Sequence, residues 1–270
     1  MKLFRYLILA CTIAAIPALA NDGATLIDQN SATAGNITPG DDPGFPITIT
    51  LPGIYRLTGN LRVPDVDTSA IVIASPMVVI DLNGFSINGP VLCPTTPVTC
   101  LGSGKGVGIQ ATDPVVRGTR VMNGSIRGMG SQGIQLNGTG SSVEKVLVLE
   151  NGAGGMSVEG SVTASTAVRN GMFGIIGTLI RDSYATENVG DGIILNSGGT
   201  AASNVSSYNG GFGFYIQFGT AIGNTAMLNT GTGLSALCPA AVTGNTIVAS
   251  NGLGIQTDNA GCAVLNNAVR

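Results

Sequence analysis

The chain contains no histidine and no tryptophan, and aromatic and charged residues make up only 4% and 10% of it. Without histidine, imidazole cannot serve as general acid or base, and zinc sites built on histidine are excluded. The few charges form no basic cluster. Nucleic acid is therefore not expected as a partner, because neutralising phosphates takes grouped Lys and Arg. An anionic lipid surface is disfavoured for the same reason. After the first twenty residues no apolar run reaches the ~18–20 residues of a membrane helix, so no membrane span is expected in the mature chain.

What the chain has in quantity is glycine, 41 residues of it, within a composition that is 44% hydrophobic. That apolar content excludes disorder, and the poverty in helix formers speaks against a helical bundle. The glycines are periodic. Gly108, Gly133, Gly155, Gly174, Gly192, Gly213, Gly233 and Gly254 each open a unit, at steps of 18 to 25 residues. Such a period belongs to solenoids. Segments such as Gly133-Ile134-Gln135-Leu136 and Gly192-Ile193-Ile194-Leu195 alternate inward and outward positions as strands do. A second apolar run follows in each unit, and Thr, Ser, Asn and Gly separate the runs. Short strands repeated in this way predict an all-β chain, a right-handed parallel β-helix of about eight or more coils.

Asparagines recur at the same corner of successive units: Asn151, Asn170, Asn188, Asn209, Asn229 and Asn251. A second set is Asn204, Asn224 and Asn245. Both are read as structural ladders, since Asn tolerates the left-handed corner conformation and its amide can bond to the next coil.

Three regions are expected. Residues 1–20 read as a signal peptide, with Lys2 and Arg5 at the start, an apolar stretch from Tyr6 to Ile16, and Ala18-Leu19-Ala20 as the cleavage site. Residues 21–60, with Pro39, Pro43, Pro46 and Pro52, read as an irregular N-terminal cap over the first coil. Residues 61–270 read as the β-helix. The last coil stops partway, so self-association through that C-terminal edge is an expectation. Cleavage after Ala20 gives a secreted or periplasmic chain with ten basic and fifteen acidic side chains, a net charge of −5. Four cysteines remain, an even number suited to an oxidising compartment. Of three pairings, Cys93 with Cys100 and Cys238 with Cys262 is preferred: the first closes the loop from Pro94 to Thr99, and the second links neighbouring coils.

The segments Tyr55-Arg56-Leu57-Thr58-Gly59-Asn60-Leu61 and Val78-Val79-Ile80-Asp81-Leu82-Asn83-Gly84-Phe85-Ser86-Ile87 resemble the entry to bacterial parallel β-helix proteins of the pectate-lyase-like superfamily. The coil motifs Asn170-Gly171-Met172-Phe173-Gly174-Ile175 and Asn209-Gly210-Gly211-Phe212-Gly213-Phe214 are similar to that family too, and the resemblance spans roughly residues 50–270. It implies the fold. Its members include polysaccharide lyases, glycosidases, epimerases and proteins without an assigned reaction, so it selects no chemistry by itself. The histidine-dependent enzymes of the family are excluded here.

On the first sheet, one outward column is expected to hold Gln110, Gln135, Ser157, Ile176, Ile194, Tyr215, Ser235 and Gln256. The next holds Thr112, Asn137, Glu159, Thr178, Asn196, Gln217, Leu237 and Asp258. Its two carboxylates, Glu159 and Asp258, stand five coils or ~24 Å apart, too far to act on one glycosidic bond. Gln135, Asn137, Asn196, Tyr215 and Gln217 are the candidate substrate-binding residues, a flat stripe suited to a polysaccharide. The catalytic alternative is a lyase for a uronate-containing glycan, with Arg117, Lys145 and Arg181 as candidate cationic groups. Arg117 and Lys145 are expected to share one column in adjacent coils, and Glu144 and Arg181 to share the neighbouring one. No cofactor is required; the one cation for which the sequence offers ligands is calcium, at Asp41, Asp42, Asp65 and Asp67.

Overall fold

The computed structural model of the protein describes residues 23–94, 98–100, 104–258 and 260–270; the expected signal segment 1–20 lies outside them. Among the described residues the chain has 25 strands and one helix of six residues, Gln29–Ala34. The strands form three parallel sheets that wind around one core as a parallel β-helix of about 10 turns. Following one column of register partners counts the turns: Thr48, Val72, Gln110, Gln135, Ser157, Ile176, Ile194, Tyr215, Ser235 and Gln256. At ~4.8 Å per turn this column is ~43 Å long.

Each turn passes through sheet 1 (for example Phe214–Gln217), sheet 2 (Thr220–Ile222) and sheet 3 (Thr225–Met227). Residues mostly alternate between core and surface along the strands. Ile134, Met156, Ile175, Ile193, Phe214 and Leu234 stack inward from sheet 1, and all are fully buried. Val121, Val143, Val162, Ile180, Ala201, Ala221 and Val242 stack inward from sheet 2. Small residues, among them Ala167, Ala185, Ser206 and Ala226, fill the middle of sheet 3 and leave room for the larger side chains opposite.

The parallel pairing begins inside the 21–60 segment. Ala24–Ile27 pairs with Gly53–Leu57, and Ile47–Ile49 pairs with Ile71–Ile73. The part of this segment without strands is the helix with the loop 35–46. Asp28 caps the helix: its Oδ1 accepts from the Ser31 backbone N–H at 2.7 Å, while Ser31 Oγ accepts from the Asp28 N–H at 2.8 Å.

The asparagine ladder is real and fully buried, but it differs from the expectation in two ways. Each Nδ2 donates to the Oδ1 of the next member at 2.9 Å, from Asn151 through Asn170, Asn188 and Asn209 to Asn229. Each Oδ1 also accepts the backbone N–H of the member before it, so the ladder satisfies donors that the tight corner would otherwise strand. The next ladder position is Ser250. Asn251 lies one residue beyond it and is exposed, and its backbone N–H bonds to Asn229 O, the role played elsewhere by Gly171, Val189, Gly210 and Thr230. Nor do the ladder asparagines adopt the left-handed conformation. The residue before each one does: Glu150, Arg169, Glu187, Tyr208 and Leu228 have φ between 54° and 56°. The second ladder runs from Asn204 through Asn224 and Asn245 to Asn267, with Ser165 and Ser183 continuing it toward the N-terminus. It too follows a column of positive-φ residues that includes Ala164, Asp182, Ser203, Gly223, Gly244 and Asn266.

The unit-opening glycines fit against this ladder. A Cβ built at Gly174 would lie 2.6 Å from Gly192 O and 2.8 Å from Asn188 Nδ2, so any side chain would push two coils apart. Both disulfides are formed, Cys93–Cys100 and Cys238–Cys262, the second joining adjacent turns. In the last turn the strands Ile255–Thr257, Ala263–Leu265 and Ala268–Val269 have no strand on their outer side among the described residues, and Val264, Leu265 and Val269 are exposed.

Candidate functional site

The outward face of sheet 1 carries Gln135 and Tyr215 in the expected first column. Gln135 and Tyr215 belong to the same column, four turns or ~19 Å apart, with Ser157, Ile176 and Ile194 between them. Asn137 sits two residues beyond Gln135 on the same strand. Asn196 and Gln217 follow Ile194 and Tyr215 in the same way on neighbouring strands. The structure therefore makes one stripe of two clusters, Gln135/Asn137 and Asn196/Tyr215/Gln217, divided by an apolar pair of isoleucines.

Hydrogen bonding distinguishes these side chains. Asn137 Nδ2 donates to Thr112 O at 3.2 Å, and Asn196 Nδ2 reaches Glu159 Oε1 at 3.4 Å across two turns. Gln135, Gln217 and the Tyr215 hydroxyl make no side-chain hydrogen bond among the described residues, so their polar groups are available to a ligand. Tyr215 is half-buried and stacks on Phe212, with ring centroids 5.8 Å apart at 30°. Phe212 belongs to the corner that leads into the same strand, and its backbone N–H is held by Asp191 Oδ1 at 2.7 Å. Period counting places Tyr215 but does not pair it with Phe212, because the contact crosses from a corner to a strand.

The cationic candidates are not brought together. Glu144 and Arg181 share a column on sheet 2 with Thr163 between them, as expected. Arg117 and Lys145 do not share one. Lys145 occupies a positive-φ corner between sheets 2 and 3, beside the pairings of Glu144 with Met122 and of Val146 with Gly124. Arg117 lies at the entry to sheet 2, next to Gly118, whose N–H bonds to Thr139 O. Lys145 Nζ pairs with Glu144 Oε1 at 3.2 Å, and Arg120 Nη2 pairs with Glu144 Oε2 at 2.6 Å. Arg120, and after it Lys145, hold the Glu144 carboxyl below its usual range. The result is an exposed ion triplet on a sheet face, and it encloses no substrate.

The calcium candidates are dispersed too. Both oxygens of buried Asp41 are taken by the backbone N–H groups of Ile37 and Thr48. Asp65 Oδ1 accepts from the N–H groups of Asp67 and Thr68; the Thr68 side chain first, and then these backbone groups, lower the Asp65 pKa, and Asp67 Oδ1 accepts from Lys105 N. Among the described residues no three of His, Cys, Asp and Glu converge as metal ligands.

A further group of polar residues escaped the periodic reading: Arg62, Asn88 and Arg127 occupy one column of sheet 3 in three successive turns. The connection from Gly89 to Gly108 separates those turns unevenly in sequence, so counting from a fixed period does not align them.

No family model matches the chain, and none of the curated proteins matches it in sequence. Among solved structures it resembles the A-module of the mannuronan C-5 epimerase AlgE4 of Azotobacter vinelandii, with a TM-score of 0.52 and 16% identity over 81% of this chain and 87% of that one. A second match is the Dettilon tailspike protein, with a TM-score of 0.45 and 12% identity over 82% of this chain and 60% of that one. The fold and the first of these matches define the class: this is a parallel β-helix protein.

Proposed function

We propose that the protein is an exported β-helix scaffold that binds a glycan chain along the outward face of sheet 1. The observation that carries this reading is the Tyr215 ring, backed by Phe212 and flanked by the amides of Asn196 and Gln217 on adjacent turns. An aromatic face takes up the apolar side of a sugar ring, and amides one turn apart meet its hydroxyls. The two disulfides, and the lack of any helix among the described residues long and apolar enough to cross a membrane, support an extracellular or periplasmic location. That the solved epimerase named above acts on mannuronan agrees with a polysaccharide partner. The same reading keeps the chain in the neighbourhood of the pectate-lyase-like proteins without requiring catalysis.

The test is affinity electrophoresis of the mature chain in gels containing neutral and acidic polysaccharides. Retardation that is lost in Tyr215→Ala, with an unchanged melting temperature, supports the reading. Equal mobility of the two proteins in every gel overturns it.

A further inference from the structure

Beside sheet 3, toward the N-terminal end, lies a groove of about 970 Å³, at the upper end of the ~300–1,000 Å³ typical of small-ligand sites. Arg62 and Arg127 line it, and both are exposed. They occupy the same column two turns apart, with Asn88 between them, which sets their backbones ~9.6 Å apart. Their surroundings orient them. Arg127 Nε donates to Asn88 Oδ1 at 2.8 Å, and its two Nη groups make no hydrogen bond among the described residues. Gln29 clamps the Arg62 backbone from the helix side, accepting its N–H at 2.8 Å and donating to its carbonyl at 3.3 Å.

Neither guanidinium has an acidic partner among the described residues. The one carboxylate that lines the groove, Glu150, is already paired with Arg169 at 3.2 Å. Two unneutralised guanidinium groups in one concavity of a chain with more acidic than basic residues focus a positive potential there. Pro64, Pro90 and exposed Leu92 add an apolar wall.

We infer that this groove is a second ligand site, separate from the sheet 1 stripe, and that it binds an acidic saccharide segment presenting carboxylate or sulfate groups. A chain with charged groups on successive units engages both, each through charge-assisted bonds for which the planar guanidinium is suited. The apolar wall accommodates the ring faces between the charges.

The test compares the full mature chain with the Arg62→Gln/Arg127→Gln variant by titration calorimetry against polygalacturonate, dextran sulfate, neutral dextran and polyglutamate at low salt. A Lys105→Gln/Arg270→Gln variant controls for net charge. The expected result is binding to an anionic glycan but not to dextran, weakened about tenfold for each arginine removed and unchanged in the control. Preference for polygalacturonate or for dextran sulfate then identifies the group as carboxylate or sulfate. No binding of either anionic glycan, equal loss in the control, or binding of polyglutamate alone overturns the inference. Tyr215→Ala serves as the cross-check: anionic-glycan binding kept in that variant but lost with the two arginines belongs to this groove, whereas binding lost with Tyr215 belongs to sheet 1.

Discussion

Asn188 Nδ2 lies 2.9 Å from Asn209 Oδ1, and the same oxygen accepts the Asn188 backbone N–H at 3.0 Å, both inside a fully buried corner. One side chain thus closes two donors of the turn beneath it. Asn188→Ala leaves the Asn170 N–H and amide without their acceptor and should cost about 2–4 kcal/mol. Asn251→Ala, off the ladder and exposed, should stay within about 0.5 kcal/mol of the parent. Chemical denaturation of the two variants distinguishes them; equal losses would mean that the ladder does not support the corner.

Ser250 occupies the ladder position after Asn229, and its Oγ is buried without a partner. Ser250→Asn places an amide oxygen where Asn229 can donate to it and should raise stability by about 0.5–1.5 kcal/mol. A lower denaturation midpoint would show that the corner has no room for the longer side chain.

Glu187 takes φ 55° in the left-handed column and carries no ion pair among the described residues. A non-glycine residue there costs roughly 1–2 kcal/mol, part of which returns as unfolded-state entropy when glycine replaces it. Glu187→Gly should therefore stabilise by about 0.5 kcal/mol, whereas Gly223→Ala at φ 63° in the second column should destabilise by about 1 kcal/mol. Thermal melts of both variants give the signs.

The Asp28 carboxyl is held below its usual pKa, chiefly by the Ser31 backbone N–H. Its charged form favours the folded state, so its contribution is complete above the unfolded pKa of about 3.9 and fades as pH falls through the lower folded value. Asp28→Asn keeps a capping oxygen but removes this titration. Relative to the parent, the variant should lose less stability on acidification below pH ~4. Parallel pH dependences would remove Asp28 from the acid response.

On the functional side, Tyr215→Phe should retain most glycan binding and Phe212→Ala should weaken it, because stacking and its support carry the contact. The ultraviolet absorbance that reports the double bond of uronate elimination should stay flat on acidic polysaccharides, since Lys145 and Arg181 sit on an open face and Arg117 elsewhere. A steady rise abolished by Lys145→Ala would replace binding with lyase chemistry.

From the sequence by itself came the repeat, the parallel β-helix coil, the first outward column of sheet 1 and both cysteine pairings. Each depends on a spacing that a strand's period of two and a turn of about twenty residues translate directly into position. That logic also marks where it stops. Asn251 looks like a ladder member because it precedes a glycine, yet the ladder position lies four residues before each unit-opening glycine, and before Gly254 that position is Ser250. Arg117 falls outside the Lys145 column because the pairings of Glu144 with Met122 and of Val146 with Gly124 put Asn123 opposite Lys145. Tertiary structure alone decided the Phe212–Tyr215 stack, the Glu144 ion triplet and the alignment of Arg62 with Arg127. Those contacts join corners and loops of unequal length, whose relative height is set by how neighbouring turns pack and not by any repeat in the chain.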